Sequence, residues 1–163
     1  MKAILLATAA IVLLSGTARA AAPMTCKQFL ANLTNSSRAV IGTPVRYRPG
    51  DEPGFTKVDF VPAVDMSVAC EGDDFDQFTA ESDAWIEKDA QSRTRWMDSA
   101  MKFAIRAAGF SEAETAALRD RLVTEAAASN KEMAMAEITV KGWYLQFDMT
   151  KLHVAFRMRP PVQ

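Results

Sequence analysis

The chain has 163 residues, with 19 Lys and Arg against 20 Asp and Glu, two cysteines and one histidine. A net charge of −1 excludes a general nucleic-acid binder, which needs a clear basic excess. The single histidine excludes, within one chain, a zinc site built on several histidines.

The amino terminus has the layout of a secretory leader. Lys2 is followed by an apolar run from Ala3 to Leu14 broken only by Thr8, and Ala18-Arg19-Ala20 fits the small-residue rule for cleavage after Ala20. The run is shorter than the roughly 20 apolar residues of a spanning helix, and Pro23-Met24-Thr25 ahead of Cys26 is not a lipobox. No later stretch reads as a membrane span. Residues 1–20 are therefore expected to be a signal peptide and residues 21–163 a single exported α+β domain, in the periplasm or secreted, long enough to bury a core. Without Lys2 and Arg19 the 19 basic side chains become 17, still against 20 acidic ones. In an exported chain, Cys26 and Cys70 are expected to form a disulfide.

Thr25-Cys26-Lys27-Gln28 has the form of a capping box, so a helix starts here, with Cys26, Phe29, Leu30 and Leu33 on one face. Val45 to Arg48 alternates briefly, and Pro49 to Gly54 is dense turn punctuation. From Val58 to Cys70 the positions Val58, Phe60, Pro62, Val64, Met66, Val68 and Cys70 are apolar, with Lys57, Asp59, Asp65, Ser67 and Glu71 among those between. Alternation with period two marks extended chain with one face buried. Pro62 lacks the N–H of a ladder hydrogen bond, so the stretch bends there or lies at an edge. Phe75 and Phe78 are expected to continue it past a bulge after Gly72. The tethered first helix is expected to roof this apolar face.

Helix is expected from near Ser82-Asp83, with Met97, Ala100, Met101, Ala104, Ile105 and Ala108 at helical spacing and Gly109 ending it. Ser111 to Glu114 is a second capping box, opening a helix whose face is Leu118, Leu122, Val123 and Ala126. Ile138 and Val140, a bulge at Gly142, and then Trp143, Leu145 and Phe147 predict a strand. Asp148 to Lys151 is expected to turn the chain into a return strand with Leu152, Val154, Phe156 and Met158 inside. The fold class that results is α+β: a mainly antiparallel sheet with helices packed on one face, in the order roughly α-β-β-β-α-α-β-β, stapled by one disulfide.

No catalytic constellation stands out. His153 has no Gly-x-Ser-x-Gly elbow to serve and reads as a surface histidine. The acidic run Glu71, Asp73, Asp74, Asp76, Glu81 and Asp83 lacks the order of an EF-hand, so neither metal nor cofactor is expected there. The sheet face away from the core is more suggestive. Lys141, His153, Arg157 and Arg159, with Arg46 and Arg48 if that strand pairs nearby, form a candidate basic patch for a small anionic ligand or a protein partner. Asp59, Asp65 and Glu71 project from the same face, and cross-strand pairing with them neutralises it without any function. Trp85, Trp96 and Trp143 read as packing residues. The expected function is a non-enzymatic exported binding or accessory protein. The alternatives are a hydrolase working through carboxylates of the Glu71 to Asp83 run and an envelope stress or chaperone-like factor.

Met24-Thr25-Cys26-Lys27-Gln28-Phe29-Leu30 resembles the start of the small periplasmic acid-stress chaperones, where a cysteine on the first helix is bonded to one some tens of residues later. The resemblance implies an all-helical fold, whereas the interval between Cys26 and Cys70 here reads as strands.

Overall fold

The computed structural model describes residues 24–62, 64–83, 90–129 and 133–160. The leader and Trp85 lie outside these residues. The described residues form α1 (Cys26–Ile41), β1 (Arg46–Pro49), β2 (Phe55–Val61), β3 (Val64–Glu71), β4 (Asp74–Asp83), α2 (Ala90–Ala107), α3 (Glu112–Ala128), β5 (Ala134–Val140), β6 (Trp143–Met149) and β7 (His153–Arg159). The strands make one antiparallel sheet in the order β1-β2-β3-β4-β7-β6-β5. Two runs of hairpins thus meet where β4 pairs with β7, and the α2–α3 pair carries the chain from one run to the other.

Alternation along each strand becomes rows across the sheet, because paired residues of neighbouring strands point to the same side. Val58, Met66, Ala80, Phe156, Phe147 and Ala136 form one such row from β2 to β5. A second runs Val68, Phe78, Met158, Leu145 and Ile138, and its members are buried. All three helices pack on this apolar side: α1 and α2 over β3 and β4, α2 also over β7, and α3 over β5 and β6. From α2, Met97, Ala100, Met101, Phe103, Ala104 and Ile105 enter the shared core, and Leu118, Leu122 and Ala126 do so from α3.

The first helix is fixed at its amino-terminal end by several independent contacts. Thr25 and Gln28 complete the predicted capping box, and Gly42 closes the helix at φ +79°, a left-handed conformation natural to glycine. Cys26 is bonded to Cys70, with Cα atoms 5.9 Å apart. Beside the bond, Cys26 N–H donates to the Asp73 carbonyl at 2.8 Å and Phe75 N–H to the Met24 carbonyl at 3.1 Å. Phe29 stacks on Phe75 with ring centroids 3.9 Å apart. Farther along, the Tyr47 hydroxyl donates to the Leu30 carbonyl at 2.7 Å, tying β1 to the same helix.

The class, the disulfide and the one-sided helix layer are as expected, and strands between the cysteines replace the all-helical fold of the resemblance. Four local readings change. Leu152, expected inside the return strand, lies exposed in the turn before it, because pairing of β7 begins only at His153. A tight turn at Gly72-Asp73 folds β4 back onto β3, and the bulge lies within this hairpin, where Asp76 is the extra residue between the Ala69–Gln77 and Cys70–Phe75 pairs. That extra residue explains why Phe75 and Phe78, three apart, both face the core. Gly142 marks no bulge: Lys141-Gly142 is a two-residue turn that splits the expected strand into β5 and β6, with both residues at positive φ. Finally, Ser82 and Asp83 end β4 rather than start a helix, because pairing with Val154 and His153 outweighs their capping propensity.

Candidate functional site

The face of the sheet opposite the helices carries the polar half of each alternation. Its central row is Lys57, Ser67, Thr79, Arg157, Gln146 and Glu137, and beside it run Asp65, Glu81, Ala155, Asp148 and Met135. Arg157 stands at the middle. Its guanidinium donates to Asp148 Oδ2 at 2.6 Å and to Glu81 Oε1 at 2.9 Å, joining β4, β7 and β6 through one planar group. Asp148 is 7% exposed, and its carboxylate also accepts from Gln146 Nε2 at 3.0 Å to each oxygen. Ala155, on β7 between these charges, is fully covered.

Around this centre further polar groups are paired. His153 Nδ1 lies 2.7 Å from Asp83 Oδ1 at one end of the β4–β7 pair. At the other end, Arg159 Nε donates to Gln77 Oε1 at 2.8 Å, and Gln77 Nε2 donates to Thr79 Oγ1 at 2.6 Å. The Tyr144 hydroxyl donates to Glu137 Oε1 at 2.6 Å. Burial, followed by that hydrogen bond to a carboxylate, pushes the Tyr144 phenol up to about 12. Toward the β1 edge, Arg48 pairs with Asp59 at 2.9 Å and Lys57 with Asp65 at 2.8 Å.

The six candidate basic residues are thus not gathered into one patch. His153, Arg157 and Arg159 share β7. Arg46 and Arg48 lie on β1, four strands away in the sheet order, which at about 4.8 Å per strand is about 19 Å. Lys141 sits in the β5–β6 turn, where its Nζ pairs with Glu114 at 2.6 Å and lies 5.2 Å from the Phe110 ring centroid on the helical side. With Asp59, Asp65, Glu81, Asp83, Glu137 and Asp148 interleaved, the face is balanced in charge.

The acidic run is divided as well. Glu71, Asp73 and Asp74 lie at the β3–β4 turn and Asp76 is the bulge residue, whereas Glu81 and Asp83 are committed to Arg157 and His153. Among the described residues no three His, Cys, Asp or Glu side chains are grouped as a metal site. Trp96 packs edge-on against Phe60 with centroids 5.6 Å apart, and Trp143 is buried near Phe75. A cleft of about 470 Å³ beside the cystine is lined by Thr25, Lys27, Phe55, Thr56 and Asp73 among others.

No family model, curated protein or solved structure matches this chain. Function therefore rests on the geometry of this face. The sequence reading named Arg157 but missed its partners. Glu81 reads in sequence as part of an acidic run and Asp148 as a turn residue, whereas Asp148 lies within β6 beside Tyr144 and Gln146, which carry no sequence expectation. Their signal is legible as a polar set at every second position, alternating with buried Trp143, Leu145 and Phe147.

Proposed function

We propose that this chain is a non-enzymatic, exported accessory domain that docks a protein partner on the polar face of its sheet. The observation that supports this is the fixed network centred on Arg157, on a face that no described helix covers. Groups already held by ion pairs and hydrogen bonds lose little freedom on binding, so such a face is preorganised for recognition. Seven strands of about seven residues make a surface about 29 Å by about 24 Å, on the order of 700 Å², near the roughly 800 Å² per partner of a standard interface. The interleaved charges favour a partner with a mixed polar surface over a small anion, because each guanidinium of an ion pair must first release its carboxylate. Export follows from the leader-like first 20 residues and agrees with the disulfide.

The test is capture of partners from the host envelope with the purified protein, followed by binding measurements with the partner identified. Thr79→Arg places a long cation at the centre of the face, and Arg157→Ala with Arg159→Ala removes its fixed groups. Both variants are expected to weaken binding at least tenfold, while Ala117→Arg on the exposed side of α3 leaves it unchanged. Unaltered binding by both face variants, or equal loss in the α3 control, would overturn the proposal.

A further inference from the structure

Among the described residues β1 and β5 are the two edges of the sheet, and they are built differently. β1 is four residues long, carries Arg46 and Arg48 and ends at Pro49, which are common devices for blunting an edge. β5 is seven residues long, contains no proline, and has Glu137 as its one charge. It pairs along its whole length with β6, from Ala134–Met149 to Val140–Trp143. Val140 and Trp143 flank a two-residue turn and so form a hydrogen-bonded pair, after which bonding alternates along the strand. Ala134, Ala136, Ile138 and Val140 therefore turn their backbone groups to β6, and Met135, Glu137 and Thr139 turn theirs outward.

Apolar surface collects at the same place. Among the described residues the large hydrophobic side chains that remain exposed are Phe55, Met133, Met135 and Leu152. Met133 and Met135 stand at the start of the β5 edge, 55% and 44% exposed, and Leu152, 71% exposed, is in the β6–β7 turn at that end of the sheet.

We propose that β5 pairs antiparallel with β5 of a second copy of this chain, with Met135 opposite Glu137 of the partner subunit. Paired strands must keep their core sides together, so the two-fold axis passes through Ala136, Glu137 or Ile138. An axis at Glu137 sets two carboxylates face to face, which is destabilising. An axis at Ile138 sets Met135 opposite Lys141, a turn residue at φ +50°, and leaves Met133 uncovered. The axis at Ala136 sets Met133 opposite Thr139, Ala134 opposite Ile138 and Met135 opposite Glu137. Both methionines are then covered, the apolar side runs on from copy to copy, and the outward backbone groups of Met135, Glu137 and Thr139 find partners.

The experiment is sedimentation equilibrium of the protein purified from the envelope, compared with Met135→Glu and Met135→Lys. Met135 is exposed, so neither change disturbs the core. In this register Met135→Glu sets a carboxylate against Glu137 twice per dimer and Met135→Lys sets an ammonium there twice. The dissociation constants are expected to differ roughly tenfold, with the lysine variant tighter. Thr139→Pro, which removes an outward N–H, is expected to yield monomer with an unchanged circular dichroism spectrum. A wild-type chain that stays monomeric into the millimolar range, or equal association by the two Met135 variants, would overturn the proposal.

Discussion

Replacing both Cys26 and Cys70 with serine tests what holds the first helix to the sheet. The cystine closes a loop of 44 residues. The chain-entropy relation makes such a cross-link worth about 4 kcal/mol at 25 °C, through the freedom that it denies the unfolded chain. In the folded state the contacts beside the bond remain: Cys26 N–H to Asp73, Phe75 N–H to Met24 and the Phe29–Phe75 stack do not need the sulfurs. The variant is thus expected to fold with the same secondary structure and to unfold at lower denaturant. For a domain of this size, about 4 kcal/mol corresponds to a melting temperature lower by roughly 12 °C. Urea unfolding followed by tryptophan fluorescence measures the free energy, and thermal unfolding followed by circular dichroism measures the melting temperature. A larger m-value should accompany the loss, because the unfolded chain without its staple exposes more surface. A loss below about 1 kcal/mol with an unchanged m-value would refute the reasoning, since it would mean that the unfolded chain is equally compact with or without the bond.

Two further perturbations follow from particular contacts. The Lys141 ammonium, together with the Ser111 N–H and hydroxyl, holds the Glu114 carboxyl down to about 2. A carboxyl lowered in the folded state adds stability that is complete above its usual 4.5 and is lost as pH falls from there toward 2. Lys141→Met keeps the contact with Phe110 but removes the charge, so its melting temperature should fall less than the wild type's between pH 6 and pH 2.5. A parallel fall in both proteins would show that the pair does not act as described. Gly54→Ala places a Cβ 2.8 Å from the Cys70 carbonyl oxygen at φ +84°. It should destabilise by about 1–3 kcal/mol in denaturant unfolding, and a neutral result would mean that the β2 entry relaxes freely.

Much of the architecture was legible because it depends on patterns within a few residues. Thr25-Gln28 and Ser111-Glu114 announced two helix starts, and alternation from Val58 to Cys70 announced strands with one buried face. The errors fell where a glycine serves equally as turn or bulge. At Gly72 and Gly142 the same local signal fits both, and only the hydrogen-bonded neighbour shows which is present. Ser82-Asp83 is a comparable case, where a good capping sequence was overridden by strand pairing to β7.

The amino-acid sequence by itself determined the class, the staple and which side of each strand is polar, since these follow from composition and periodicity along the chain. Strand order was decided only in three dimensions. The β4–β7 pairing joins residues from 70 (Asp83 to His153) to 80 (Phe78 to Met158) positions apart, and it alone brings Glu81 to Arg157 and Asp83 to His153. The same order sends Arg46 and Arg48 to one edge and, among the described residues, sets β5 at the other. Charge at a position is a local property, whereas what neutralises it depends on which strands the fold sets side by side.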